Sequence, residues 1–394
     1  MLIPDFVMYM MNKLISSGFE CYLVGGCVRD TLMGITPHDY DLTTSALPDE
    51  MKEVFATDRV IETGIAHGTL TVLSDTSPVE ITTYRIDGEY DDNRHPREVS
   101  FTRNLHDDLA RRDFTVNAMA MSRGGEIVDL YGGREDLQSR TIRCVGNPNK
   151  RFREDGLRIM RALRFAATLD FAVEERTALA AEQMCELLCG ISVERINAEL
   201  SKLMCGIGAP VIFERFAEVL HTVLPEIPPD MLRQYSLLIN DLPLNLTVRR
   251  AALFSLTAHP LDTAKAVMTR LKCSNAERRA TYSCVSLMMS PPTDRLGVAH
   301  FAAQMGYDLL STALVAMNRN DILDISLSMQ SENVPLNVTD LAINGDSIIS
   351  LGARRGAEIG DVLNALFTAV IKGECLNTYD DLINMATEII KKHS

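Results

Sequence analysis

Tyr22-Leu23-Val24-Gly25-Gly26-Cys27-Val28-Arg29-Asp30, followed after eight residues by Asp39-Tyr40-Asp41, is the stretch on which the reading of this chain turns. Tyr22-Leu23-Val24 reads as a short apolar strand. A strand that runs into a glycine pair and then a short helical stretch, Val28 to Met33, lets backbone N–H groups approach phosphate oxygens. If residues 39–41 are also strand, Asp39 and Asp41 project side by side from one face. Two ionised carboxylates roughly 7 Å apart along a strand repel each other unless a cation lies between them. Mg²⁺ suits such a pair, because it takes one or two carboxylates together with substrate phosphates. An isolated Asp-x-Asp is most simply a solvated strand end; the Gly-Gly-x-x-Arg-Asp element upstream argues for phosphoryl or nucleotidyl transfer instead.

At 394 residues the chain exceeds one compact core and implies roughly two to four domains. No apolar run reaches the roughly 18 residues that span a bilayer. Met1-Leu2-Ile3-Pro4-Asp5 has no basic region of the secretory type. Nine cysteines, without Cys-x-x-Cys or Cys/His metal spacing, predict free thiols in a reduced, cytoplasmic protein. Cys185 and Cys189 are expected as buried thiols on a Leu-rich helix. The net charge of −14 argues against a nucleic-acid partner on average, but between Arg134 and Arg164 nine cations face four acids. Phosphate binding needs a local excess of this kind, not a basic average.

Residues 19–130 mix short β-type runs (21–24, 69–73, 79–84) with helical stretches, whereas from about 150 onward the apolar spacing is almost wholly helical. Breaks at 146–149, 206–210, 225–229 and 291–292 punctuate it. The fold class expected is α+β: a small head with a mixed sheet, then an all-helical extension. Arg111-Arg112-Asp113 before an apolar stretch reads as a helix start, with Asp113 as N-cap and two cations for a phosphate. In Glu154-Asp155-Gly156-Leu157-Arg158, continued to Arg161 and Arg164, the i,i+3 spacing places Asp155, Arg158 and Arg161 along one side of a helix. A carboxylate acceptor beside a guanidinium donor matches the amine-plus-ring-nitrogen edges of cytosine and adenine. Uracil and guanine reverse that pattern, and buried mispaired groups are costly. The plain alternative is a solvated intrahelical ion pair.

Taken in order, these elements resemble the class II tRNA nucleotidyltransferases, the CCA-adding enzymes and bacterial poly(A) polymerases of the polymerase-β superfamily. The resemblance rests on Leu23 to Asp30, Asp39 to Thr44, Gly64 with His67 to Thr69, Val79 to Arg85, Arg111 to Phe114, Val128 to Gly133, and Glu154 to Arg158. It continues through Ile191 to Ile196 with Glu199-Leu200, Asp340 to Asp346, Leu351-Gly352, Gly356, Glu358 to Gly360 and Asn377-Thr378. It implies a polymerase-β-like nucleotidyltransferase head (1–143), a helical neck with the base-reading motif (144–205), a body (206–272) and a tRNA-binding tail (273–394). It implies catalysis by Asp39, Asp41 and Glu80, with Mg²⁺ on Asp39 and Asp41. Nucleotide binding falls to Gly25, Gly26, Arg29, Arg111, Arg112, Asp113, Glu154, Asp155, Arg158, Arg161 and Arg164, with Glu154 orienting Arg158. The implied partners are ATP, CTP and the acceptor and T arms of tRNA, with no membrane and no protein partner.

Residues 87–97 match the loop that CCA- and A-adding members keep and CC-adding members lack. The basic Gly-x-x-Phe element typical of poly(A) polymerases is missing at His67 to Leu70, and no His-Asp pair of a phosphohydrolase domain appears in the C-terminal half. Gly156 stands where relatives often carry Ala, which implies slightly looser helix geometry. Addition of CCA to tRNA 3′ ends, with release of pyrophosphate, is therefore the expected activity. The alternatives are A-addition alongside a separate CC-adding enzyme and, less favoured, poly(A) synthesis.

Overall fold

The computed structural model describes residues 3–74, 77–87, 99–353 and 356–393. From residue 88 onward the expected 87–97 loop lies outside the described residues. The chain divides into two compact units, Met1–Pro225 and Glu226–Ser394. That division falls within the expected body, 206–272.

In the first unit β1 (Cys21–Val24), β2 (Asp41–Thr44), β3 (Arg59–Ile61), β4 (Thr69–Leu73) and β5 (Pro78–Thr83) precede a hairpin of β6 (Arg85–Asp87) and β7 (Val99–Phe101). β8 (Met119–Met121) and β9 (Ile127–Asp129) complete a seven-stranded sheet in the order β3-β4-β5-β2-β1-β8-β9. β2 and β5 are parallel and the other pairs antiparallel, so the expected mixed sheet is present. Side chains alternate between its faces. Leu23, Leu42, Leu70, Val72, Val79 and Ile81 join a core with Val7, Met10, Met11 and Leu14 of α1 (Asp5–Ser16). Those four α1 positions follow the i, i+3, i+4, i+7 helical stripe. Val24 lies on the opposite face with Leu109 of α4 (Leu105–Ala110), which follows α2 (Gly26–Leu32) and α3 (Pro48–Val54).

Two local expectations are corrected. Arg111 and Arg112 follow the end of α4 instead of starting a helix, and Asp113 is not an α-helical N-cap: a 3₁₀ turn at Thr115–Asn117 leads into β8. The run Val116 to Met121 is buried where it enters and forms β8 within the sheet, and tertiary burial overrides its helical spacing. The helix expected through 153–165 is likewise two, α6 (Pro148–Glu154) and α7 (Leu157–Leu169), broken at Asp155, whose φ of −144° is extended.

Between β9 and α6 lies α5 (Gly133–Gln138), where Asp129 accepts from the Gly133 and Arg134 amides at 2.8 and 2.9 Å. A Cβ on Gly133 would sit 2.4 Å from the Thr115 carbonyl oxygen and 2.9 Å from Met119 Sδ. Gly133→Ala should therefore cost about 1–3 kcal/mol of stability; an unchanged thermal midpoint would refute that packing.

β10 (Thr141–Ile142) pairs in parallel with β11 (Ala172–Val173) inside the largely helical stretch. α8 (Glu175–Gln183) and α9 (Val193–Met204) follow, with α9 packed on α7. All nine thiols are free. Cys185–Gly190 is 3₁₀, not α-helical, and Cys189 is exposed, which corrects the buried-helix reading of that pair. Among the described residues the second unit holds ten α-helices, from Pro229–Ile239 to Tyr379–His393. Gly352 and Gly356 there adopt φ of 98° and 111°, which side-chain-bearing residues rarely do, and neither they nor Gly360 pack closely against a neighbour. No single helix among the described residues is long and apolar enough to cross a membrane.

Candidate functional site

Asp41 begins β2, between Val24 of β1 and Glu80 of β5 in direct register. Register neighbours share a face, so the Asp41 and Glu80 carboxylates stand side by side, both solvent-exposed. Asp39 lies in the bend before β2, which corrects the expectation that both aspartates ride one strand. The crowding protein around Asp41 pushes its carboxyl above the ordinary value. The charges of Glu80 and Asp39 add to that push, and Arg112 opposes it. Among the described residues no three His, Cys, Asp or Glu side chains form a ready-made metal cage.

A cavity of about 190 Å³ lies at these carboxylates, lined by Asp41, Glu80, Thr69, Thr82, Arg111 and Arg112 among others. Both arginines are anchored by a residue the sequence reading missed, the fully buried Asp108. Its Oδ1 accepts from Arg111 Nε and Nη2 at 3.0 and 2.7 Å; its Oδ2 accepts from Arg112 Nη2 and from Thr43 Oγ1, each at 3.2 Å. Burial alone would raise the Asp108 carboxyl, but the two guanidiniums outweigh it and hold it below the usual carboxylate value. Arg112 Nε is buried with no hydrogen-bond partner among the described residues. Gly25, at φ 76°, forms the neighbouring wall; a Cβ there would lie 3.4 Å from Arg112 Nη1 and 3.8 Å from Asp41 Oδ2.

Gly26 opens α2, and Arg29 one turn later donates to Asp30 Oδ1 and, from Nη1, to Asn117 Oδ1 at 2.9 Å. Asn117 Nδ2 in turn donates to Asp113 Oδ1 at 3.3 Å. Asp113 Oδ2 accepts a fork from Arg161 Nε and Nη2 at 2.8 and 2.6 Å. Burial pushes the Asp113 carboxyl up, but Arg161, with help from Arg158 and the Phe114 amide, keeps it below its usual range. Arg164 donates from Nε to Glu199 Oε2 at 2.8 Å and stacks 3.4 Å above the centre of the Phe165 ring, which Arg29 and Arg161 approach at 5.2 and 5.4 Å.

The Glu154 segment forms a third group. Arg158 Nη1 donates to Glu154 Oε2 at 2.6 Å and to the Arg151 carbonyl, and its Nη2 donates to the Arg111 carbonyl at 3.1 Å. Asp155 Oδ1 accepts from the Leu157 amide at 3.0 Å, and Oδ2 from Arg195 Nη2 at 2.8 Å. Gly156 is tightly placed, not loose: a Cβ would meet Leu187 at 3.1 Å. The local cationic excess is mostly neutralised, since Arg140, Arg143, Arg151, Arg158, Arg161 and Arg164 all pair with carboxylates.

The structure thus gathers Asp41, Glu80, Arg111 and Arg112 around one cavity, with Gly25 beside Asp41 and Arg112. It joins Arg29, Asp113, Arg161 and Arg164 in one network, and sets Glu154, Asp155 and Arg158 at the α6–α7 junction. Asp108 left a faint trace in the sequence, at i,i+3 and i,i+4 spacing to the two arginines. Arg195 lies within the Ile191-to-Ile196 stretch of the resemblance, but nothing in the sequence pairs it with Asp155, and Phe165 left no trace.

Residues 21–143 match the family described as the Poly A polymerase head domain. Residues 170–231 match an RNA- and SrmB-binding site of polymerase A, and residues 247–386 match domain 2 of tRNA nucleotidyltransferases. The chain is 36% identical to a CCA-adding enzyme of Leuconostoc mesenteroides, covering 96% of this chain and 95% of that protein. It is 39% identical to one of Lactobacillus helveticus, with 95% and 94% covered. Its fold is similar to that of a Bacillus stearothermophilus CCA-adding enzyme solved with CTP, with TM-score 0.80, 28% identity, and 100% and 99% of the two chains covered.

Proposed function

Because this chain belongs to the CCA-adding enzyme family, it is a nucleotidyltransferase, and we propose that it builds C-C-A on tRNA 3′ ends from CTP and ATP at the Asp41 cavity. The observation that carries the reading is the register Val24–Asp41–Glu80, facing Arg111 and Arg112 across one cavity beside Gly25.

Asp39 and Asp41 are the residues to hold Mg²⁺. Their hard oxygen donors suit that ion, and a cation there offsets the carboxylate charges of Glu80 and Asp39, which add to burial in raising the Asp41 carboxyl. A three-carboxylate cage is not required where substrate phosphates complete the shell. Held by Asp39 and Asp41, Mg²⁺ would supply Lewis-acid activation of the 3′-hydroxyl and charge neutralisation at the leaving pyrophosphate. Glu80 serves as third carboxylate, adding negative potential beside Asp41. Arg112, with its unmet Nε–H, and Arg111 serve the triphosphate, as do Arg29, Arg161, Arg164 and the backbone at Gly25 and Gly26. Asp113 holds Arg161 in that network.

Asp155 and Arg158 read the base: the carboxylate accepts from the N4 or N6 amine, and the guanidinium donates to N3 or N1. Glu154 fixes the plane of Arg158. The head (1–143), neck (144–205), body (206–272) and tail (273–394) divide the labour, the helical parts gripping the acceptor and T arms by shape. The setting is the cytoplasm.

The test is incubation with tRNA ending at the discriminator base. CTP alone should give addition of two C residues, and CTP with ATP should give complete CCA. ATP incorporation confined to tRNA already ending in CC would identify an A-adding enzyme, and long oligo(A) on unstructured RNA a poly(A) polymerase.

A further inference from the structure

We infer that Arg195 is a positioning residue for nucleotide choice: it fixes the Asp155 carboxylate in the orientation that accepts an exocyclic amine. The inference rests on the proposed base-reading role of Asp155. Asp155 lies at the break between α6 and α7, outside either helix, so its backbone alone does not set its side chain. Two contacts do. Oδ1 accepts the Leu157 amide at 3.0 Å, and Oδ2 accepts Arg195 Nη2 at 2.8 Å. Each carboxylate oxygen has two lone pairs, so one acceptor site on each stays available to a base.

Arg195 is itself held from elsewhere. Its helix α9 buries Ile196, Leu200, Leu203 and Met204. One turn along the same face, Glu199 accepts from Arg164 at 2.8 Å and lies 3.8 Å from Arg161. One face of α9 therefore grips the base-reading segment at both ends, Asp155 ahead of α7 and Arg164 near its middle. Arg195 Nη1 is buried without a hydrogen-bond partner among the described residues. The arginine thus leaves one donor unmet while its other amino nitrogen grips Asp155. Without Arg195, Oδ2 is released and the carboxylate pivots about its single bond to the Leu157 amide. A pivoting carboxylate penalises the O4 carbonyl of uracil less than a fixed one does.

The test compares the ratio of UMP to CMP incorporation onto tRNA ending at the discriminator base for the full-length protein and its Arg195→Met, Arg195→Lys and Asp155→Ala variants. Arg195→Met should raise the ratio about tenfold, since hydrogen-bonded sites owe their discrimination to pairing geometry. Arg195→Lys, which keeps a cation, should recover part of it. A parallel loss of UTP and CTP use at an unchanged ratio, in both Arg195 variants, would overturn the inference. If Arg195→Met does not fold, the ratio for Arg195→Lys decides alone. Asp155→Ala separates the two levels. If it erases C-over-U preference while the Arg195 variants retain it, only the role of Arg195 fails; if it keeps the preference, the base-reading assignment fails as well.

Discussion

Asp41→Ala will lower single-turnover CMP incorporation by roughly a thousandfold or more while tRNA affinity stays within a few-fold. Removing a carboxylate that holds a catalytic cation forfeits several kcal/mol of transition-state stabilisation, and about 4 kcal/mol is a factor of a thousand. The effect belongs to the chemical step because Asp41 stands at the exposed start of β2 and carries no core packing. Asp39→Ala is expected to abolish incorporation too. The two sites should differ in tolerance. Asp41 is held in register between Val24 and Glu80, so Asp41→Glu should be nearly as damaging as Ala, whereas Asp39 lies in a bend that can adjust to Asp39→Glu. Incorporation within tenfold of wild type in Asp41→Ala would remove the metal assignment.

Asp108→Ala should be the most damaging change away from the substrate. It leaves Arg111 and Arg112 without the fully buried carboxylate that neutralises both, and it takes from the Thr43 hydroxyl, two residues from Asp41, one of its two acceptors, the Thr82 carbonyl remaining. Breaking a buried pair by removing one partner costs about 3–5 kcal/mol. For a unit of this size that lowers the thermal midpoint by roughly 10 °C. Incorporation should fall as well, because Arg111 and Arg112 line the cavity beside Asp41.

The sign of the pH dependence follows from the depressed carboxyl. A group held below its unfolded value of about 3.9 adds stability above that pH and loses it as the pH falls toward the folded value. Asp108→Asn should therefore flatten the acid side of the stability profile below about pH 4. Thermal melts across that range check both statements, and a steep acid limb retained in Asp108→Asn would contradict them.

Much of the site was legible because its signals are local. Strand, glycine pair and helix follow one another within a dozen residues, and the structure has β1, Gly25 at positive φ and α2 in that order. The misreadings share one cause. Around Arg111 to Met121, and again at Asp155, apolar spacing of helical period predicts a continuous helix that the structure does not have. Burial and strand pairing within the sheet decided the first segment. At the second, the Asp155 side chain caps the amide of Leu157 in place of helix continuing through it. The cationic excess at 134–164 is offset in part from outside the segment, by Asp113 for Arg161, Glu199 for Arg164 and Asp170 for Arg140, and no count within the segment shows those partners.

The sequence by itself determined the kind of chemistry and the family, because carboxylate spacing, glycine punctuation and the strand-to-helix order are properties of neighbouring residues. Only the tertiary structure decided which groups act on one another. Asp41 beside Glu80, Asp108 between two arginines and Thr43, Asp113 clamped by Arg161, and Asp155 held by Arg195 are its work. Apart from the i,i+3 and i,i+4 pairs of Asp108 with its arginines, these join residues about forty or more positions apart, brought together by sheet register and helix packing, which no local periodicity encodes.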